Sequence, residues 1–244
     1  MKTLILPVAG KSTRYNLNRP KWLLCHPKGK LMLTESIKGL DLTQFDRVVI
    51  ITLQEYQEIY RFKDYLLSET RELHNNVDIL LLNEATKNQP ETVYEGIKQL
   101  NIKDGIYIKD CDNYFKHNID FKYNSVSVIA LNTQKNITPW NKSYIKLSQN
   151  NTVSNIVEKK IISNLFCCGG YYFANAQEFA SNYEELQSYS NLYISHIIYN
   201  MIIKNQVFFA QECTDYIDWG TLEDWQKYCK QFKTLFVDID GTLF

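Results

Sequence analysis

Thr3-Leu4-Ile5-Leu6-Pro7-Val8-Ala9-Gly10-Lys11-Ser12-Thr13-Arg14 passes from a short apolar run into a small, basic, glycine-containing loop. Such a run reads as a buried strand, here Thr3 to Leu6, whose carboxyl end opens into a βα turn. Open α/β sheets place their ligands at that edge. Gly10 lets a ligand approach the backbone, Ser12 and Thr13 bring small hydroxyls, and Arg14 offers a planar fork for phosphate oxygens, with Lys21 following. Taken alone, the stretch also fits an ordinary turn with a solvated Arg and Lys. Neither GxGxxG nor the Walker lysine motif is met, because the required glycines are missing.

Further strands are expected at Arg47 to Thr52, Val77 to Leu82 and Gly105 to Lys109. Helices are expected between them, at Glu55 to Ser68 with Ile59, Phe62, Leu66 and Leu67 on one face, and at Glu91 to Leu100 with Val93, Ile97 and Leu100. The alternation is that of βαβ units, so the fold class is α/β: a Rossmann-like, mixed but mainly parallel sheet flanked by helices. After Asn113 the rhythm changes. Ser125 to Leu131 reads as a strand, and the polar stretches near Ile145 and Val153 to Glu158 as a hairpin or inserted lobe. Gly169 to Phe173 reads as a strand entered through a tight glycine turn, then a helix capped by Asn175, a helix over Tyr193 to Lys204 and a short strand at Val207 to Ala210. Thr221 caps a last helix, with Asp224 at its third position.

The chain has 244 residues, 45% hydrophobic and 22% charged, a composition that fits a globular protein with a substantial core. Its 27 basic residues cancel its 27 acidic ones, which removes any global argument for nucleic acid as a partner but leaves room for a local phosphate pocket. No window approaches the roughly 18 apolar residues of a membrane span, and the N-terminal apolar run is too short for a signal segment. Neither membrane nor export is expected, and the expected compartment is the cytoplasm. The six dispersed cysteines, with no CxxC pair, are expected reduced.

Two acidic segments stand beside the basic loop. Ile106-Tyr107-Ile108-Lys109-Asp110-Cys111-Asp112 leads a strand into two carboxylates at a sheet edge, and Asp215-Tyr216-Ile217-Asp218-Trp219-Gly220-Thr221 places another before a glycine turn. Carboxylate and phosphate oxygens are the ligands a hard cation such as Mg2+ prefers, while an acidic loop with no ion is the alternative.

Ala9-Gly10-Lys11-Ser12-Thr13-Arg14 followed by Pro20-Lys21 resembles the AGxGTR...PK signature of the nucleotidyltransferases that activate sugar phosphates and related small phosphates. Ser12 departs from it, standing where the family has a second glycine. The resemblance implies a glycine-rich loop, Ala9, Gly10, Ser12 and Thr13, holding a nucleoside triphosphate, with Arg14 and Lys21 as catalytic cations on its phosphates. It implies Asp112 and Asp218 as Mg2+ ligands, Asp110 as a second member of the acidic motif, and Cys111 beside the nucleotide. Asn88, Gln89 and Thr92 fall where the family reads its base. Glu158-Lys159 resembles the family's EK pair and Gly169-Gly170-Tyr171 its GxY strand, which makes Glu158, Lys159, Gly170 and Tyr171 acceptor-binding residues, with Lys159 steering the incoming phosphate. Trp219 and Trp225 are expected to pack, and the four histidines have no expected catalytic role.

The implied activity is Mg2+-dependent coupling of a nucleoside triphosphate, CTP favoured, to a small phosphorylated acceptor or sugar phosphate with release of pyrophosphate, serving cell-surface polysaccharide such as capsule. A sugar-1-phosphate enzyme using UTP or dTTP and a regulatory nucleotide-binding protein without turnover are the alternatives. The lobe around residues 132–155 is expected to serve acceptor recognition or subunit contact, so a homodimer stays open. Residues 1–232 are expected to form this domain. Residues 233–244 carry Asp238-Ile239-Asp240-Gly241-Thr242, which resembles the opening motif of haloacid-dehalogenase-type phosphatases, Asp238 the nucleophile and Asp240 the acid/base there, and reads as the start of a truncated second domain.

Overall fold

The computed structural model describes residues 1–10, 15, 19–135 and 137–233. Ser12, Thr13, Arg14 and the Asp238/Asp240 motif lie outside them. In chain order the elements are β1 (Lys2–Pro7), α1 (Met32–Ile37), β2 (Arg47–Leu53), α2 (Gln54–Tyr60), α3 (Lys63–Arg71), β3 (Val77–Leu82), α4 (Gln89–Gln99), β4 (Gly105–Lys109), β5 (Asn113–Lys116) and β6 (Ser125–Ala130). There follow β7 (Ser143–Leu147), β8 (Val153–Glu158), β9 (Leu165–Phe173), α5 (Ala176–Leu186), α6 (Ile194–Ile203), β10 (Phe209–Glu212), β11 (Thr214–Asp218) and α7 (Leu222–Cys229).

A nine-stranded sheet runs in the order β10-β6-β9-β4-β1-β2-β3, with the β7–β8 hairpin joined through β7 to β9. Strands β4, β1, β2 and β3 are mutually parallel, as are β10 and β6, while β9 runs antiparallel between β4 and β6. This is the mixed, helix-flanked α/β sheet read from the apolar runs. Alternation along β1 explains the two-sided core. Ile5 packs with Val49, Ile51 and Ile108 against α4, α5 and α6 on one face, and Leu4 and Leu6 pack with Val48, Ile50 and Tyr107 against α1, α3 and Trp22 on the other. Trp219, Trp225, Tyr228, Tyr15 and Met32 form a third cluster beneath α7, so both tryptophans are packing residues. Among the described residues no helix is long and apolar enough to cross a membrane.

Several local expectations need correction. The expected helix over Glu55 to Ser68 is two helices, because Arg61 takes a left-handed conformation (φ 47°) and ends α2 with its N–H on the Gln57 carbonyl. That turn points Phe62 and Leu66 into the core, whereas no residue of α2 is fully buried and only Tyr56 and Tyr60 pack partly against the core. Strand β9 starts at Leu165, before the glycines, and has a bulge where its register against β6 shifts; Gly169 lies there at φ 86°. Strand β10 is displaced to Phe209, Phe208 being buried and Val207 exposed. The ribbon β5–β11 and helix α1 were not anticipated.

Candidate functional site

The loops after β1, β3 and β4 meet the β7–β8 hairpin and the start of α6 around one cleft of about 720 Å³ at the carboxyl edge of the parallel strands. Two acidic residues from distant segments meet in it. Strand β11 pairs antiparallel with β5, with Asp218 opposite Asn113, and the Trp219 N–H continues the ladder onto the Asp112 carbonyl at 2.9 Å. A Cβ built on Gly220 would sit 3.0 Å from Asp218 Oδ1 and 3.7 Å from Asp112 Oδ2, so both carboxylates border one point that glycine leaves open. Gly220 donates its N–H to Asp218 Oδ1 at 3.1 Å, and Thr221 caps α7 by accepting the Asp224 N–H at 3.2 Å.

Each carboxylate is held by a lysine. Lys21, at the first residue of a short 3-10 turn after Pro20, pairs with Asp112 Oδ2. Lys142, just before β7, lies 2.5 Å from Asp218 Oδ2 and donates to the Tyr216 hydroxyl at 2.9 Å. Lys142 was missed in the sequence, where nothing local marks it. Two lysine–aspartate pairs in the cleft can exchange cations: carboxylate oxygens are ligands that a hard metal prefers, and an ammonium group displaced from them can reach an anionic ligand. The oxygen donor set of Asp112 and Asp218 therefore fits Mg2+ shared with phosphate oxygens, although among the described residues no three acidic, cysteine or histidine side chains form a metal cluster.

Asp110 faces a different neighbour. Its Oδ1 accepts from the Gln89 amide, its N–H donates to the Gly169 carbonyl at 2.8 Å, and its carboxyl fills the space where a Gly169 Cβ would stand, 2.3 Å from Oδ2. Burial, reinforced by the charge of Asp112, raises its pKa to about 6. Cys111 lines the cleft with a buried thiol pushed up to about 12 by desolvation.

Gly10, Asn88, Gln89, Thr92, Glu158, Lys159 and Tyr171 also line the cleft. Their polar groups are unequally available. Asn88 caps α4, its Oδ1 accepting the Glu91 N–H at 2.9 Å, and Thr92 pairs with the Thr86 hydroxyl at 2.6 Å. Glu158 Oε2 accepts from Ser143 and from Ser195, the latter at 2.9 Å. Lys159, at φ 54°, donates to the Tyr193 hydroxyl with its ammonium 4.4 Å from the ring centroid. Two residues expected here do not line the cleft. The Ala9 side chain is wholly buried in the core, and a Cβ on Gly170 would meet the Tyr107 hydroxyl at 2.1 Å, so that position faces the packed side of β9 while Gly169 faces the cleft. None of the four histidines lines the cleft; His26 packs edge-on against Trp219 at 4.9 Å.

No protein-family model matches the chain, and no curated protein matches it by sequence. Solved structures do match in fold. A nucleoside-diphosphate-sugar pyrophosphorylase from Vibrio cholerae RC9 superposes with a TM-score of 0.78 at 18% identity, over 93% of this chain and 100% of that one. The CTP:phosphocholine cytidylyltransferase from Streptococcus pneumoniae gives 0.72 at 18% identity, over 95% and 99%. The inositol-1-phosphate CTP transferase from T. maritima gives 0.72 at 12% identity, over 91% and 90%. At such identities the likeness establishes a shared fold.

Proposed function

We propose that the protein is a cytoplasmic, Mg2+-dependent nucleotidyltransferase that couples a nucleoside triphosphate, CTP by preference, to a small phosphorylated acceptor or sugar phosphate and releases pyrophosphate. The observation that carries this reading is the meeting of Asp112 and Asp218 across the β5–β11 ribbon, each with a lysine on it, in the cleft that also takes in Lys159. The shared fold supports it, as does the use of CTP named for two of the similar structures.

In the reaction an acceptor phosphate oxygen bonds to the α-phosphorus while the bond from that phosphorus to the oxygen bridging it to the β-phosphate breaks, and pyrophosphate leaves with that electron pair. The attacking oxygen is already anionic, so no general base is required. Alignment and charge compensation are the protein's task. Asp112 and Asp218 would hold Mg2+, which supplies charge stabilisation on the nucleotide phosphate oxygens. Lys21, released from Asp112, engages the triphosphate together with Arg14. Lys142, released from Asp218, and Lys159 hold the acceptor phosphate. Gln89 and the Asn88 amide group offer polar contacts to the base.

A product of this kind would serve cell-surface polysaccharide such as capsule, and the β7–β8 lobe would recognise the acceptor or contact a second subunit. Incubation with Mg2+, each nucleoside triphosphate and a panel of small phosphates, with pyrophosphate measured, tests the assignment. A productive pair identifies both substrates, whereas tight nucleotide binding with no pyrophosphate from any pair selects a regulatory nucleotide-binding protein instead.

A further inference from the structure

Lys109 is a lysine with no exposed surface, at the last position of the central strand β4, directly before the loop that carries Asp110 and Asp112. Buried ammonium groups are rare because leaving water is costly, and they persist where every N–H finds an oxygen. Here three do. Lys109 Nζ donates to the Asp110 carbonyl, to the Asn113 carbonyl at 3.1 Å and to Asn113 Oδ1 at 2.6 Å, and it stands 4.5 Å from the centroid of the Phe115 ring. Three donors meeting three acceptors leave no N–H for a ligand.

The placement of those acceptors gives the residue its role. The carbonyls of residues 110 and 113 bracket Cys111 and Asp112, so one ammonium group ties together both ends of the turn bearing the Asp112 carboxylate. Asn113 is in turn the strand partner of Asp218. Lys109 thus grips the residue at which the two carboxylate-bearing segments join. Neither helix packing nor the cleft lining needs a cation there; an apolar residue would continue the run Ile106-Tyr107-Ile108 and fill the same space.

We infer that Lys109 is a positioning residue that fixes the Asp110–Asn113 turn and so sets the spacing of the Asp112 and Asp218 carboxylates for a divalent cation. The inference rests on the cation site of the proposed function. Groups behind metal ligands typically change affinity by roughly ten- to a hundredfold when removed. Charge alone predicts the opposite sign, since deleting a nearby positive charge would tighten a cation. Geometry and charge are therefore separable.

Mn2+ titration followed by electron paramagnetic resonance, on the full chain with no nucleotide, reads the site directly. Lys109→Met, which keeps the length and removes the donors, is expected to weaken Mn2+ binding about tenfold or more, and Asn113→Ala, which removes one acceptor and leaves the lysine, to weaken it less. Unchanged or tighter Mn2+ binding in Lys109→Met overturns the inference. Should Lys109→Met fail to fold, Asn113→Ala decides, with unchanged affinity overturning it. A wild-type protein that binds no Mn2+ overturns the cation reading and this inference together, whereas wild-type binding with an unaffected variant overturns this inference alone.

Discussion

Lys142 and Asp218 form an ion pair of 2.5 Å in which the aspartate side chain is 4% exposed and the lysine 14%. The pair joins the β7–β8 lobe to the end of β11, and it is duplicated on the neighbouring carboxylate by Lys21 and Asp112. Under the proposed function Mg2+ would take the carboxylate oxygens that Lys21 and Lys142 engage here, so each lysine would compete with the ion.

Removing Lys142 should therefore cost stability and sharpen the response to metal. Lys142→Met leaves a nearly buried carboxylate uncompensated and is expected to lower stability by about 2 kcal/mol, less than the roughly 3–5 kcal/mol of a fully buried pair. Addition of Mg2+ should then raise the melting temperature more in the variant than in the wild type. Equal Mg2+ shifts in a thermal scan would show that Lys142 does not compete for the site.

Asp112→Asn and Lys21→Ala are expected to keep the fold and lose most turnover, roughly a hundredfold or more, since each removes charge compensation at the reacting phosphates. Pyrophosphate release measured beside a melting curve separates the two effects. Near-normal release from either variant would sink the assignment of this edge as the catalytic one.

Gly220→Ala tests the geometry with a single methyl group. The added carbon would stand 3.0 Å from Asp218 Oδ1, so the Asp218 carboxylate must give way, while Asp112 Oδ2 at 3.7 Å stays in ordinary contact. The expected result is a fall in kcat of at least about tenfold with a melting temperature near that of the wild type, because displacements of this size are costly in catalysis and mild in packing. A variant with full kcat would show that the carboxylates do not hold the reacting groups.

Two desolvated groups act against each other with pH. Asp110 has a folded-state pKa raised to about 6 by burial, so the folded protein binds the extra proton between the ordinary carboxylate range and 6, and its contribution to stability is lost as pH rises through that window. His26 is lowered to about 4 by burial, so the unfolded chain binds the extra proton between about 4 and 6.5, and stability is gained as pH rises there. The two slopes oppose each other between pH 4 and 6. Asp110→Asn removes one of them, and its denaturant midpoint should climb from pH 4 to 6 more steeply than that of the wild type. Parallel midpoint curves for the two proteins would refute the raised pKa.

Most of the sheet was legible because a buried parallel strand is an uninterrupted apolar run, and Leu4, Val49, Ile79 and Ile108 lie in such runs. The chemistry-bearing loops were legible for a related reason: a strand that ends in Asp110-Cys111-Asp112 must deliver those residues to a sheet edge. What misled was local. No glycine announces the left-handed turn at Arg61, and with two adjacent glycines at the bulge of β9 the alternation of faces cannot be counted through, so only the fold shows that Gly169 borders the cleft.

The sequence by itself determined the layered α/β sheet and singled out Lys21, Asp112 and Asp218 as candidates, because each is written in a few consecutive residues. Only the tertiary structure decided that β11 pairs with β5, that Lys142 closes on Asp218 and that the Lys109 ammonium bonds to both ends of the Asp110–Asn113 turn. The pairings with β11 and Lys142 are made between segments far apart in the chain, and the third depends on which way a buried side chain turns, so no periodicity or local motif records them.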